Sequence, residues 1–224
     1  MTETVHDVNG IRICAEVLGP DDGVPLLLVM GLGGQLVSWP QGFVDGLVGR
    51  GFRVVRFDNR DAGHSTHLDH APVDLIESIE RVAAGEAVEA PYTLSDMAAD
   101  AAGLLDALGI GAAHLVGISM GGMIVQTMAI EQPQAVRSVT SIMSTTGDPD
   151  VGQPSEEAIA AMLVALRLKG ETADELVDPS GGRRTAEAVP HAELVEIEGM
   201  GHNLPEALWP ELLDHIEANT LAAV

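Results

Sequence analysis

The chain has 224 residues, of which 46% are apolar, a formal net charge of −23 and one cysteine, Cys14. This length fits one domain with a sizeable core, and the acid excess, with Lys169 the only lysine, excludes a nucleic-acid partner because phosphate backbones need a basic footprint. A lone cysteine allows no internal disulfide, and no apolar run is long enough for a membrane span, so a cytoplasmic protein without membrane attachment is expected.

The first residues, "MTETVHDVNGIRICAEVLG", lack the basic-then-apolar layout of a secretory leader and begin like a strand. "PLLLVMG" (25–31) and "FRVVRFD" (52–58) are short apolar runs bounded by Pro, Gly or Asp, which predicts buried strands. Between them, "WPQGFVDGLVGRG" predicts a short helix ended by glycine. Residues 61–92 predict a loop and one amphipathic helix. "YTLSDMAADAAGLLDALGIG" sets Leu94, Met97, Ala98, Ala101, Leu104, Leu105 and Leu108 on one helical stripe, with Thr93 or Ser95 as cap and Gly109 as stop. "AHLVGIS" reads as a strand, "MGGMIVQTMAIEQP" as a helix closed by Pro133, and "AVRSVTSIMST" (135–145) as a further strand.

Within residues 147–185, "PSEEAIAAMLVAL" predicts a helix and "ALRLKG" a short strand, and the two overlap. "AELVEIEG" (192–199) predicts a last strand, and "LPEALWPELLDHIEAN" a terminal helix opened by Pro205. This alternation predicts an α/β fold, a mostly parallel, doubly wound sheet flanked by helices, with function at the carboxyl ends of the strands.

"LVGISMGGMIVQ" places Ser119 between Gly117 and Gly121, the G-x-S-x-G spacing of a nucleophile elbow. Five-letter matches arise by chance; the position after a strand and before a helix gives this one weight. The tight turn needs small residues and leaves the Met120 amide facing the space above Ser119. A serine hydroxyl also needs a base held in the right tautomer, and His202, between the last predicted strand and the terminal helix, stands where a base should. The glycine-rich "VMGLGGQLVSW" offers a second oxyanion donor, the Leu32 amide, and lacks the spacing of a dinucleotide loop and the lysine of a P-loop. The even spacing of His64, His67 and His70 raises a metal-site reading, but nothing else in the sequence supports it and they are expected to be loop residues.

Together "VMGLGG", "FDNRDAGHST", "AHLVGISMGGMIVQTMAIEQP", "SIMSTTGDP" and "AELVEIEGMGH" resemble the serine-type α/β-hydrolases, most of all the aclacinomycin methylesterase-like actinobacterial esterases. The resemblance implies a carboxylic ester hydrolase acting on a small-molecule ester without a cofactor. Ser119 would be its nucleophile, His202 its base, and the Leu32 and Met120 amides its oxyanion hole. It implies a triad acid between serine and histidine: Asp174, with Asp178 as near rival and Asp148 as the alternative after strand "SIMST". The "DNRDAGHS" segment, with Asp58, Arg60 and Gly63, would be scaffolding.

Such relatives insert a mostly helical cap between the serine and the histidine, here separated by 83 positions. The expectation is therefore one core domain over 1–224, with 148–170 a remnant or replacement of the cap, and an open cleft. A face left uncovered there would suit a homodimer. Two other readings share the sequence: a cofactor-free perhydrolase or haloperoxidase on the same triad, and a catalytically impaired scaffold.

Overall fold

In a computed structural model, which describes residues 2–68, 78, 81, 86–148, 179–198 and 200–223, the chain opens on a hairpin. Strand β1 (Thr4–Val8) returns as β2 (Ile11–Leu18) through Asn9 and Gly10, both at positive φ (49° and 80°). That pair of dihedrals matches the right-handed twist of the flanking strands, and Asn-Gly adopts it at low cost. Then follow β3 (Val24–Val29), helix α1 (Gln41–Gly49), β4 (Phe52–Phe57), α2 (Leu94–Ala107), β5 (Ala113–Ile118), α3 (Met120–Glu131) and β6 (Val136–Ile142). Helices α4 (Pro179–Ala188) and α5 (Trp209–Ala222) lie towards the C-terminus.

The six strands form one sheet in the order β1-β2-β4-β3-β5-β6. β1, β2 and β4 pair antiparallel, while β4, β3, β5 and β6 run parallel. The period-2 alternation of strand side chains divides the core. Leu27 and Val29 face a cluster with Met97, Ala101, Leu105, Ile124 and Val125 from α2 and α3. Leu26 and Leu28 face the other layer, with Phe43, Leu47, Leu213 and Ile216 from α1 and α5. Burying each such side chain contributes about 1.5–3 kcal/mol.

On that second layer α1 approaches α5 closely because Gly42 and Gly46 carry no side chain. A Cβ at Gly42 would sit 2.6 Å from the Trp209 ring, and one at Gly46 would sit 2.5 Å from Leu213 Cδ1. Helix α2 starts as its sequence predicts: Thr93 Oγ1 accepts the Asp96 amide, and Asp96 Oδ2 accepts the Thr93 amide at 2.7 Å.

Two expectations are corrected. Residues 192–197 form no strand, and Ala192 to Glu196 are exposed. Glu196 instead pairs with Arg183 of α4 at 2.5 Å, and Leu194 lies against Gly182 of the same helix. The alternating pattern of "AELVEIE" becomes a strand only beside a neighbour that accepts its ladder, and here the segment's side chains are engaged by a helix. The terminal helix begins at Trp209 rather than Pro205, after a 3-10 turn over Glu206–Leu208, with Pro210 in its first turn. The predicted helix and strand within 153–170, the expected cap remnant beyond Asp148, most of 69–85 including His70, and both Asp174 and Asp178 lie outside the described residues.

Candidate active site

Strand β5 ends at Ile118 and α3 begins at Met120, leaving Ser119 alone to turn the chain. It does so at φ 53°, ψ −126°, a strained conformation for a side-chain-bearing residue. The surroundings fix it: the Ser119 amide donates to the Ile142 carbonyl at 3.0 Å, and the Ser119 carbonyl accepts the Gly122 amide at 2.9 Å. The flanking glycines are sterically required. A Cβ on Gly117 would overlap the Gly121 carbonyl, and one on Gly121 would overlap the Val29 carbonyl. The motif therefore permits close packing of the elbow on β3, besides the turn itself.

His202 reaches this elbow from the loop before α5. Its Nε2 lies 2.9 Å from Ser119 Oγ. The loop is held from both sides: Met200 and Leu204 pack against the α1/α5 layer, and the Trp209 indole N–H donates to the Leu204 carbonyl at 2.9 Å. Both members of the pair are half-buried, so a reacting group can approach while the imidazole stays in place.

The loop after β3 lies against the serine as well. A Cβ on Gly31 would sit 3.0 Å from Ser119 Cβ and 3.2 Å from the Ile118 carbonyl. Gly33, at φ 66°, and the Gly34 amide bonded to the Gly31 carbonyl at 3.1 Å close a tight turn that carries the exposed Leu32. "DNRDAGHS" is scaffolding for this loop, as its sequence suggests. Asp58, 2% exposed, accepts the Leu36 amide at 2.7 Å and the His64 amide at 2.8 Å. Asn59 Nδ2 donates to the Met30 carbonyl at 3.0 Å. Arg60 grips Asp100 of α2 through two bonds, at 2.7 and 2.9 Å, so the loop is anchored in turn to a helix.

Asp148, past the end of β6, lies 3.9 Å from the Arg184 guanidinium and borders an open recess of about 580 Å³ with Thr146, Arg184 and Glu187. Ser119, His202 and the Gly31–Gly34 turn, each singled out in the sequence, come together at the elbow. Asn59 and Ser65 were not singled out. Ser65 Oγ donates to the Asp58 carbonyl at 2.6 Å and accepts the Cys14 amide at 2.9 Å. The polar density of "DNRDAGHS", four of whose eight residues are buried, is the signal in the sequence, because buried polar groups need partners.

A family model described as the alpha/beta hydrolase fold matches residues 24–168, which contain the sheet from β3 to β6 and the elbow. The chain belongs to the alpha/beta hydrolase fold family. Among curated proteins it is similar to the rhodomycin D methylesterase DnrP of Streptomyces peucetius, with 30% identity over 184 residues, 75% of this chain and 56% of that protein. It is also 32% identical over 149 residues to the rhodomycin D methylesterase DauP of Streptomyces sp. strain C5, covering 66% of this chain and 44% of that protein. The chain thus spans about half the length of these curated relatives. Among solved structures, the predicted CIB-like hydrolase from Thermoplasma acidophilum shares the fold over 97% of this chain and 98% of its own, with a TM-score of 0.70 at 18% identity.

Proposed function

We propose that this alpha/beta hydrolase is a serine esterase that cleaves small carboxylic esters through an acyl-enzyme. The observation that carries the reading is the 2.9 Å contact between His202 Nε2 and Ser119 Oγ on a strained elbow. A base at that distance is within reach of the hydroxyl proton.

In the proposed cycle, Ser119 Oγ attacks the ester carbonyl carbon as His202 Nε2 takes the hydroxyl proton. The carbonyl oxygen becomes an oxyanion, and the amides of Leu32 and Met120 stabilise it; the latter opens α3, whose dipole adds a favourable field. Collapse of this intermediate expels the alcohol, which receives the proton from His202. Water, deprotonated by the same imidazole, then attacks the acyl-enzyme, and the acid and Ser119 hydroxyl are released. A carboxylate orients the imidazole in this scheme. Asp174 is the assignment, Asp178 its near rival and Asp148 the alternative. The methylesterase relatives support the ester class, and a half-buried pair favours short activated esters.

Hydrolysis of p-nitrophenyl acetate tests the reading. Ser119→Ala and His202→Ala should each lower kcat/KM by at least about a thousandfold, since either change disables the same proton-transfer unit. Rates equal to wild type in Ser119→Ala would overturn it.

A further inference from the structure

The histidine-rich loop after β4 offers chemistry that ester hydrolysis does not use. His67 Nε2 lies 3.1 Å from the Gly63 carbonyl. His64 Nδ1 lies 2.8 Å from Glu3 Oε2, and the same carboxylate oxygen lies 3.6 Å from Cys14 Sγ. We propose that Glu3, Cys14 and His64 form a binding site for a borderline divalent transition-metal ion of the Zn²⁺ type.

The geometry fits. The three donor atoms all lie within 4.8 Å of one another. A tetrahedral ion bound to sulfur at about 2.3 Å, and to nitrogen and oxygen at about 2.0–2.1 Å, needs donors roughly 3.3–3.6 Å apart. The Cys14–Glu3 separation already meets this requirement. The Glu3–His64 pair has to open by about half an ångström, and both side chains are exposed enough to do so (39% and 76%). The sulfur is the fixed member. β2 holds Cys14 with its amide on Ser65 Oγ and its carbonyl accepting the Asp58 amide at 2.9 Å. It is buried, yet it belongs to neither apolar cluster of the core.

The donor set selects the ion. One thiolate, one imidazole and one carboxylate suit Zn²⁺ and its neighbours, whereas Mg²⁺ and Ca²⁺ prefer oxygen alone. Three protein donors leave a fourth position for water. Without an ion, burial, Asp58 and Glu3 push the Cys14 thiol up to about 11. A dication reverses that balance: the sulfur–metal bond forms as the S–H bond breaks, one proton passes to solvent, and no electron is transferred. Bound metal would tie the first residues of the chain to the loop that buttresses Leu36, so it should raise thermal stability.

The test is titration of the metal-free protein with Co²⁺, followed by competition with Zn²⁺. The expected result is saturable binding at one ion per chain, a near-ultraviolet thiolate-to-cobalt absorption, and a rise in Tm. Cys14→Ser should abolish that absorption. Glu3→Gln and His64→Ala, both at exposed positions, should weaken binding at least about tenfold. An absence of thiolate absorption in wild type, or affinity unchanged in Glu3→Gln and His64→Ala, would overturn the proposal. Either outcome is independent of whether Ser119 is a nucleophile.

Discussion

Asp58 and Leu36 are joined by a 2.7 Å hydrogen bond from the Leu36 amide to the Asp58 carboxylate, across 22 residues of sequence, in a site closed to solvent. The second carboxylate oxygen holds His64, so one side chain fixes two loops and both of its oxygens are used. Asp58→Asn keeps the shape but turns one acceptor into a donor facing an N–H. The expected loss of stability is about 1–3 kcal/mol, read as a lower urea midpoint at unchanged m. A midpoint equal to wild type would show that the loop after β3 is held by other contacts.

Gly121 rests on β3. A Cβ there would overlap the Val29 carbonyl and come within 2.8 Å of the Met30 carbonyl, and backbone atoms cannot swing aside as a side-chain tip can. Gly121→Ala should therefore shift the elbow from Gly31, lower stability by about 1–3 kcal/mol, and reduce the proposed ester hydrolysis. Gly111→Ala is the control, because nothing lies within 4 Å of its Cβ and its φ is not in the left-handed region. Equal Tm values for the two variants would contradict the packing argument.

His114 gives the fold a pH dependence away from the site. Its ring, 3% exposed, lies 2.8 Å from Ser138 Oγ on the neighbouring strand. Burial, followed by the charge of Arg137, holds its pKa below the usual 6.5. As pH falls through 6.5 the unfolded chain takes up a proton there that the folded chain refuses. Stability is thus complete above that value and is lost below it, until the buried ring itself protonates. Urea denaturation of wild type and His114→Gln across this range should show wild type losing the more stability on the acid side. Parallel profiles would remove His114 from the account.

The elbow was legible in the sequence because its constraint is local: a serine forced to positive φ needs glycine two residues away on each side, and both glycines are written there. The same holds for α2, whose Thr93 and Asp96 cap it through their own side chains. The segment "AELVEIE" misled because alternation reports only that a strand would be amphipathic, not that a partner strand stands beside it. Arg183 and Gly182 of α4 engage it instead, and α4 itself, with two adjacent glycines in "PSGGRRTAEA", carries little helical signal. The link between Glu3, Cys14 and His64 was equally invisible. It depends on the pairing of β1 with β2 and on the fold of the loop after β4, and no spacing in the chain encodes it.

The most direct test of the account is covalent trapping with a fluorophosphonate, a reagent that reacts with an activated serine and spares an ordinary hydroxyl. Intact-mass analysis should find one adduct per wild-type chain, peptide mapping should place it on Ser119, and both Ser119→Ala and His202→Ala should remain unlabelled. An unmodified wild-type chain, or an adduct that persists in Ser119→Ala, would contradict the claim that His202 activates Ser119.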